Sequence, residues 1–348
     1  MRSIEWTISD LIHLGEVQQA RSKHKYRICC RREVQRCKEA ELGMINLLIK
    51  ERDQSASDAR DKVYALLGLQ ICPRDIHVAP DYSKTVEHVY ITIAQQGVQF
   101  PYGINLLSLS QPWCSKLDMP SWVPNWNEPW KGRIDADERF HAGGSLTSFV
   151  SFGPGSLSII LKGLRMATVQ KIGGTSMSHW VRESLRPLNI EKEIETQLMR
   201  LKLSGDYTLT GESYIYAFLE VITAGRGRHV LEKFICKFSE HSSRGDFALN
   251  PFNPHSMRWK EMFDNLAWCG DTWDVFQSDN GYLGLGPVAG MKIGDIVCVF
   301  GRGNVPFILR EWEGHGYKLI GECYVHGLMH GEAVEGLKCD SLEEFVVC

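Results

Sequence analysis

Residues 58–84 read DARDKVYALLGLQICPRDIHVAPDYSK, and this stretch decides how the front of the chain is expected to fold. Val63, Tyr64, Leu66, Leu67 and Leu69 recur at helical spacing, and Gly68 followed by Pro73 stops the helix after about two turns. The expectation is a short helix buried on one side. Arg60, Asp61 and Lys62 stand at its start, where Asp61 can face the positive end of the helix dipole while Arg60 reaches elsewhere. The triplet reads either as a capped helix start with a structural ion pair or as the polar end of a site. Pro80-Asp81-Tyr82-Ser83 then turns the chain into a second helix over Thr85–Phe100, with Val86, Val89, Tyr90, Ile93 and Ala94 inward.

Upstream, Ile4–Gln19 carries apolar residues at amphipathic helical spacing. Arg21–Lys38 follows with eight Lys or Arg against Glu33, a solvated helix face or an anion site. Glu41–Ile49 is a short apolar run expected to pack on the helix at 62–69. Downstream, Gln99–Pro129 holds Trp113, Trp122 and Trp126, with Trp130 just beyond. Its prolines at 112, 120, 124 and 129 exclude a long helix. The indoles read either as core mortar or as the wall of a pocket for a large apolar ligand.

Ser148–Ile172 alternates as two strands around Gly153-Pro154-Gly155. Ile190–Leu203, Ser213–Ala224 and Met257–Trp273 carry helical patterns, and Arg226–Asn250 is irregular. In the final third, Tyr282–Pro287, Ile296–Phe300, Pro306–Arg310 and Tyr317–Ile320 read as strands at hairpin spacing, forming a small antiparallel barrel or curled sheet. Glycines at 284 and 286 suit bulges and tight turns better than a phosphate cradle, because no helix follows them.

A net charge of −3 and a pI near 6.5 give no general attraction to nucleic acid or anionic membrane. Eleven scattered cysteines without a Cys-x-x-Cys pair fit a reducing compartment. No apolar run is long enough to span a bilayer, so a cytoplasmic address is expected. No nucleophile elbow, P-loop, zinc-ligand spacing or kinase signature is present. His326, His330 and Glu332 form a His-x-x-x-His-x-Glu pattern, but Gly327, Gly331 and the β-rich flanks argue against the helix that would bring the histidines together. No metal and no cofactor is assigned.

RDKVYALLGL at 60–69, PDYSK at 80–84 and MPSWVPNW at 119–126, with GYLGLGP at 281–287 and GECYVHGLMHGE at 321–332, resemble the back half of the fungal heterokaryon-incompatibility (HET) domain and the region that follows it. The resemblance covers Asp58–Glu335. The Ser-Tyr-x-Trp-Gly type motif with which HET domains open and the Asp-Ala-x-Cys-Ile-Asn-Gln type motif that ends a later strand do not occur in the sequence, so NAD-cleaving chemistry of that front half is not carried over. The resemblance implies an α+β fold in two parts. Residues 1–143 would form a truncated, helical HET-like region with the Trp/Pro-rich loop, and 144–348 a mixed region ending in antiparallel sheet.

Some HET-like proteins of fungal specialised metabolism are cofactor-independent cyclases, including a norbornene-forming Diels–Alderase of sordaricin-type terpenoid biosynthesis. Such chemistry needs shape and one or two hydrogen-bond donors rather than a nucleophile. The leading expectation is therefore cyclisation of an apolar small-molecule substrate. Arg60, Asp61 and Tyr82 are its catalytic candidates, with Asp61 orienting Arg60, and Tyr64, Trp122, Trp126 and His326 line the substrate. The alternative is a heterokaryon-incompatibility or cell-death signalling protein without catalysis. No nucleic-acid partner and no membrane span are expected, and the oligomeric state is left open.

Overall fold

A computed structural model describes residues 43–69, 76–129, 133–134, 139–153, 155, 157–173, 199–203, 206–226, 272–312, 314–337 and 342–348. The expected helix at Ile4–Gln19 and the basic stretch Arg21–Lys38 lie outside these residues, as do 190–198, 227–250 and 257–271. The described chain is a mixed α/β structure with a β-rich final sheet. It divides into two compact units, one comprising 1–106, 115–119 and 123–130, the other 107–114, 120–122 and 131–348.

In the first unit, α1 (Gly43–Lys50) buries Met44, Ile45, Leu47 and Leu48, the apolar positions of the run expected there. α2 (Asp61–Tyr64) is shorter than the pattern predicts. After a single turn, Leu66 N–H bonds back to the Val63 carbonyl, and the backbone tightens into a 3-10 turn at Leu67–Leu69. The sequence explains the tightening, because Gly68 sits where the helix would have to continue. α3 (Val86–Gly97) matches the second expected helix. Thr85 caps it, its hydroxyl accepting from His88 N–H at 3.2 Å, and Val89, Tyr90, Ile93 and Ala94 face inward. The loop expected after it begins with a 3-10 segment, Gly103–Leu109.

The second unit is built on β2 (Ile159–Ile172), which leaves β1 (Val150–Phe152) through the expected hairpin. A small hairpin, β3 (Asp206–Tyr207) and β4 (Glu212–Ser213), leads into α4 (Tyr214–Ile222). Then come β5 (Trp273–Ser278), β6 (Leu283–Pro287), β7 (Ile296–Phe300), β8 (Phe307–Trp312), β9 (Gly316–Glu322), β10 (Tyr324–Val325) and β11 (Glu343–Val347). Trp273 thus opens a strand and does not close a helix, a correction to the helical reading of 257–273.

Besides β1, three stretches of β2 pair with three further partners. Residues 159–163 take β11, 163–168 take β7 and 169–172 take β5, all antiparallel. β7 continues through β8 to β9, and a parallel step at Tyr317 and Val347 returns from β9 to β11. The pairings close a ring of five strands, and β5, β6 and β10 branch from the far end of β2. The result is a ring with a side sheet, where a simple barrel or curled sheet was expected. Inside it Phe300 lies 5.8 Å from Phe307 and 5.6 Å from Phe345, ring centre to ring centre. Every residue of β6 and β7 is buried, which matches their unbroken apolar runs. In β6 a side chain at Gly284 would meet the Phe276 ring at 2.3 Å, and one at Gly286 would meet Ile308 and Met291 at 2.7 Å. These glycines serve close packing, where bulges or tight turns were expected, and the β5–β6 register runs through them unbroken. Cys298 and Cys323 are buried thiols among the apolar core.

Candidate functional site

The first group of predicted site residues gathers at the start of α2. Arg60 Nε and Nη2 donate to the two carboxylate oxygens of Asp58 at 2.9 and 2.7 Å, and Nη1 donates to the carbonyls of Tyr82 and Lys84 at 2.6 and 2.7 Å. The guanidinium also lies 5.2 Å from the Tyr82 ring centre. A planar fork suits a carboxylate on one side and a turn of backbone on the other. Arg60 therefore clasps the 82–84 turn to the α2 start. The carboxylate that orients it is Asp58, not Asp61, a correction to the sequence reading.

Asp61 instead accepts from the Tyr82 hydroxyl, which holds that phenol above its usual range, and Asp58 is held below the usual carboxylate range by Arg60. Tyr64 donates to the Asp81 carbonyl at 3.0 Å and meets the Tyr82 ring edge-on at 5.2 Å. Arg60, Asp61, Tyr64 and Tyr82 thus do come together, with Tyr82 at the surface. Asp58 was missed although the signal was available: an acid two residues before an arginine can bond that residue's side chain and backbone N–H together, as here.

The tryptophans part company. An extended 119–126 run would put Trp122 and Trp126, four apart, on one face, but the chain turns at 121–123 and again at 126–127. Trp126 belongs to the first unit, fully buried, with the Arg52 guanidinium 5.6 Å from its ring centre. Arg52 is itself buried and donates to the carbonyls of Asn125 and Glu128 at 2.9 and 3.1 Å. Trp122 belongs to the second unit, fully buried, its indole N–H donating to the Leu157 carbonyl at 3.0 Å and its ring 6.4 Å from Phe152. Beside it Ser121 Oγ accepts from Leu319 N–H at 2.8 Å and donates to the Cys348 carbonyl. Both indoles are packed as core.

His326 also lies in the second unit, and both its ring nitrogens are engaged. Nε2 meets the Glu212 carboxylate from β4, and Nδ1 lies 3.4 Å from the Tyr324 hydroxyl. Tyr207 Oη donates to the His326 carbonyl and accepts from Leu283 N–H, each at 3.2 Å, and burial pushes the Tyr207 and Tyr324 phenols well above their usual range. The group ties the β3–β4 hairpin to the β6 and β10 edge. Glu212 carries no sequence signal, because it reaches His326 only through the fold. Among the described residues no three His, Cys, Asp or Glu converge as a metal site, and no helix is long and apolar enough to cross a membrane.

Residues 265–345 match the Het-6 beta-barrel domain, a span that includes β5 through the start of β11. Over 84% of its length the chain is 24% identical to heterokaryon incompatibility protein 6, OR allele, of Neurospora crassa, and it spans 51% of that relative's length. No solved structure matches. Together these likenesses support a HET-like chain of fungal type.

Proposed function

We propose that this chain acts in heterokaryon incompatibility, as a recognition or cell-death signalling protein. The observation that carries the reading is the match of 265–345 to the Het-6 beta-barrel domain, supported by a likeness to an incompatibility protein over most of the chain. The alternative, cofactor-free cyclisation of an apolar terpenoid, has less support. Its donor Arg60 is spent on Asp58 and two backbone carbonyls, and its aromatic walls, Trp122 and Trp126, are buried. In this proposal Arg60, Asp61, Tyr64 and Tyr82 shape a surface turn for contact and perform no chemistry.

The test is to express the chain in a filamentous fungus and score death of fusion cells with a vital dye, against strains carrying the same and divergent alleles at the corresponding locus. Allele-dependent death is the expected result. Viable fusions in every pairing, with cofactor-free turnover of polyene substrates by purified protein above a heat-killed control, would replace this reading with the cyclase.

A further inference from the structure

The His326-x-x-x-His330-x-Glu332 pattern points to the wrong partner for His330. His326 is occupied by Glu212 and Tyr324, whereas His330 meets His141, which lies far away in sequence. The two imidazole centres are 5.4 Å apart with their planes at 58°, and both side chains are exposed. Their loops are locked together by backbone. His141 N–H donates to the Met329 carbonyl at 3.0 Å, Gly144 N–H bonds back to the His141 carbonyl at 2.8 Å, and a side chain on Gly331 would lie 3.5 Å from the Gly144 backbone. His330 N–H donates to the Glu332 carboxylate at 2.6 Å, and the Phe140 ring lies 5.7 Å from His330. Two imidazoles are thus presented on a preorganised frame.

A zinc-like ion bound through an imidazole nitrogen at about 2.1 Å sits roughly 3.2 Å from the ring centre, so two rings sharing one tetrahedral ion have centres about 5 Å apart. The observed separation fits that spacing. We propose that His141 and His330 form a two-histidine chelate for a borderline divalent ion, Zn²⁺, Ni²⁺ or Cu²⁺, clamping the loop before β1 to the turn after β10. Neutral imidazole favours these ions over Mg²⁺ and Ca²⁺, which take oxygen donors. With no third protein donor converging among the described residues, water or a donor from a partner completes the coordination. The site is independent of the incompatibility role.

The test uses the full chain without a histidine tag, titrated with Zn²⁺ against a fluorescent chelator. His141→Asn and His330→Asn are each expected to weaken one site by about tenfold or more, while His326→Asn and the surface change His88→Asn leave that site intact. Equal binding by the parent and the His141→Asn/His330→Asn double variant would overturn the assignment, as would loss of the site in His326→Asn. Should a variant fail to fold, pulsed EPR of the Cu²⁺-loaded parent decides, since two equatorial imidazoles are expected and one or none overturns the chelate.

Discussion

Asp58 and Arg60 show what a two-residue spacing can hide. Their pair is partly exposed, so its value lies less in charge than in the carbonyls of Tyr82 and Lys84 that Arg60 reaches once Asp58 has aimed it. Because Arg60 depresses the Asp58 pKa below 3.8, the contribution is complete above that value and fades as pH falls through the lower folded value. Asp58→Asn is thus expected to lower the thermal midpoint at neutral pH and to converge with the parent in acid. A gap that stayed constant from neutral pH down to about pH 3 would remove the carboxylate from the explanation. Asp295 is a sharper case. It is 1% exposed and held by Arg310 through Nε and Nη2 at 2.7 and 2.8 Å, with Lys292 N–H at 2.6 Å. Arg310→Ala should cost about 3–5 kcal/mol in chemical denaturation, because it leaves a buried carboxylate unpaired. A loss below about 1 kcal/mol would class the pair with ordinary surface bridges. Unlike Asp58 and Arg60, this partnership does not show in local pattern, since Asp295 and Arg310 meet only when β7 and β8 pair.

The strands themselves were legible as elements. Ile296–Phe300 is an apolar run bounded by glycines, and 148–172 alternates around a Gly-Pro-Gly turn; both fold as read. Their closure into a ring was not legible, because local alternation says nothing of which distant strand takes which third of β2. The bulges where β2 slips register, between Arg165 and Ala167 and between Val169 and Lys171, let one long strand serve three partners beyond β1. Closure rests on β11, whose Phe345 packs between Phe300 and Tyr317. Phe345→Ala is expected to cost about 3–5 kcal/mol, whereas Trp312→Ala, at an exposed strand end, should change the denaturation midpoint little. Comparable losses from the two would mean that ring closure is not what β11 contributes. The helical stretch at 62–69 fell short of its pattern for the opposite reason: one glycine outweighed five residues at helical spacing when no second turn of helix was available to share the cost of nucleation.

At the scale of the molecule, the sequence motifs led to the correct broad class but to a site whose members belong to two different compact units, Trp122 and His326 in one and the remaining candidates in the other. Order along a chain does not reveal this, because residues 107–114 and 120–122 are taken into the second unit while their neighbours go to the first. A fragment beginning at residue 144, where the composition changes, would lack Trp122 and Ser121. It is expected to unfold without a cooperative transition by circular dichroism, and a fragment beginning at residue 100 should recover one. Cooperative unfolding of the shorter piece would show that these inserts are dispensable. The Ser121 hydroxyl, which touches both Leu319 and Cys348, also sets a clock. Its partner at 348 is 227 residues further on, which at ribosomal speed is roughly ten to forty-five seconds of synthesis. Within that interval, once residue 172 has been made, β2 waits on the nascent chain until β7 is complete at residue 300 and β11 at residue 347. Its bare edges are open to any neighbouring polypeptide, and the yield of this protein in a cell should depend on chaperones that shield an unfinished sheet.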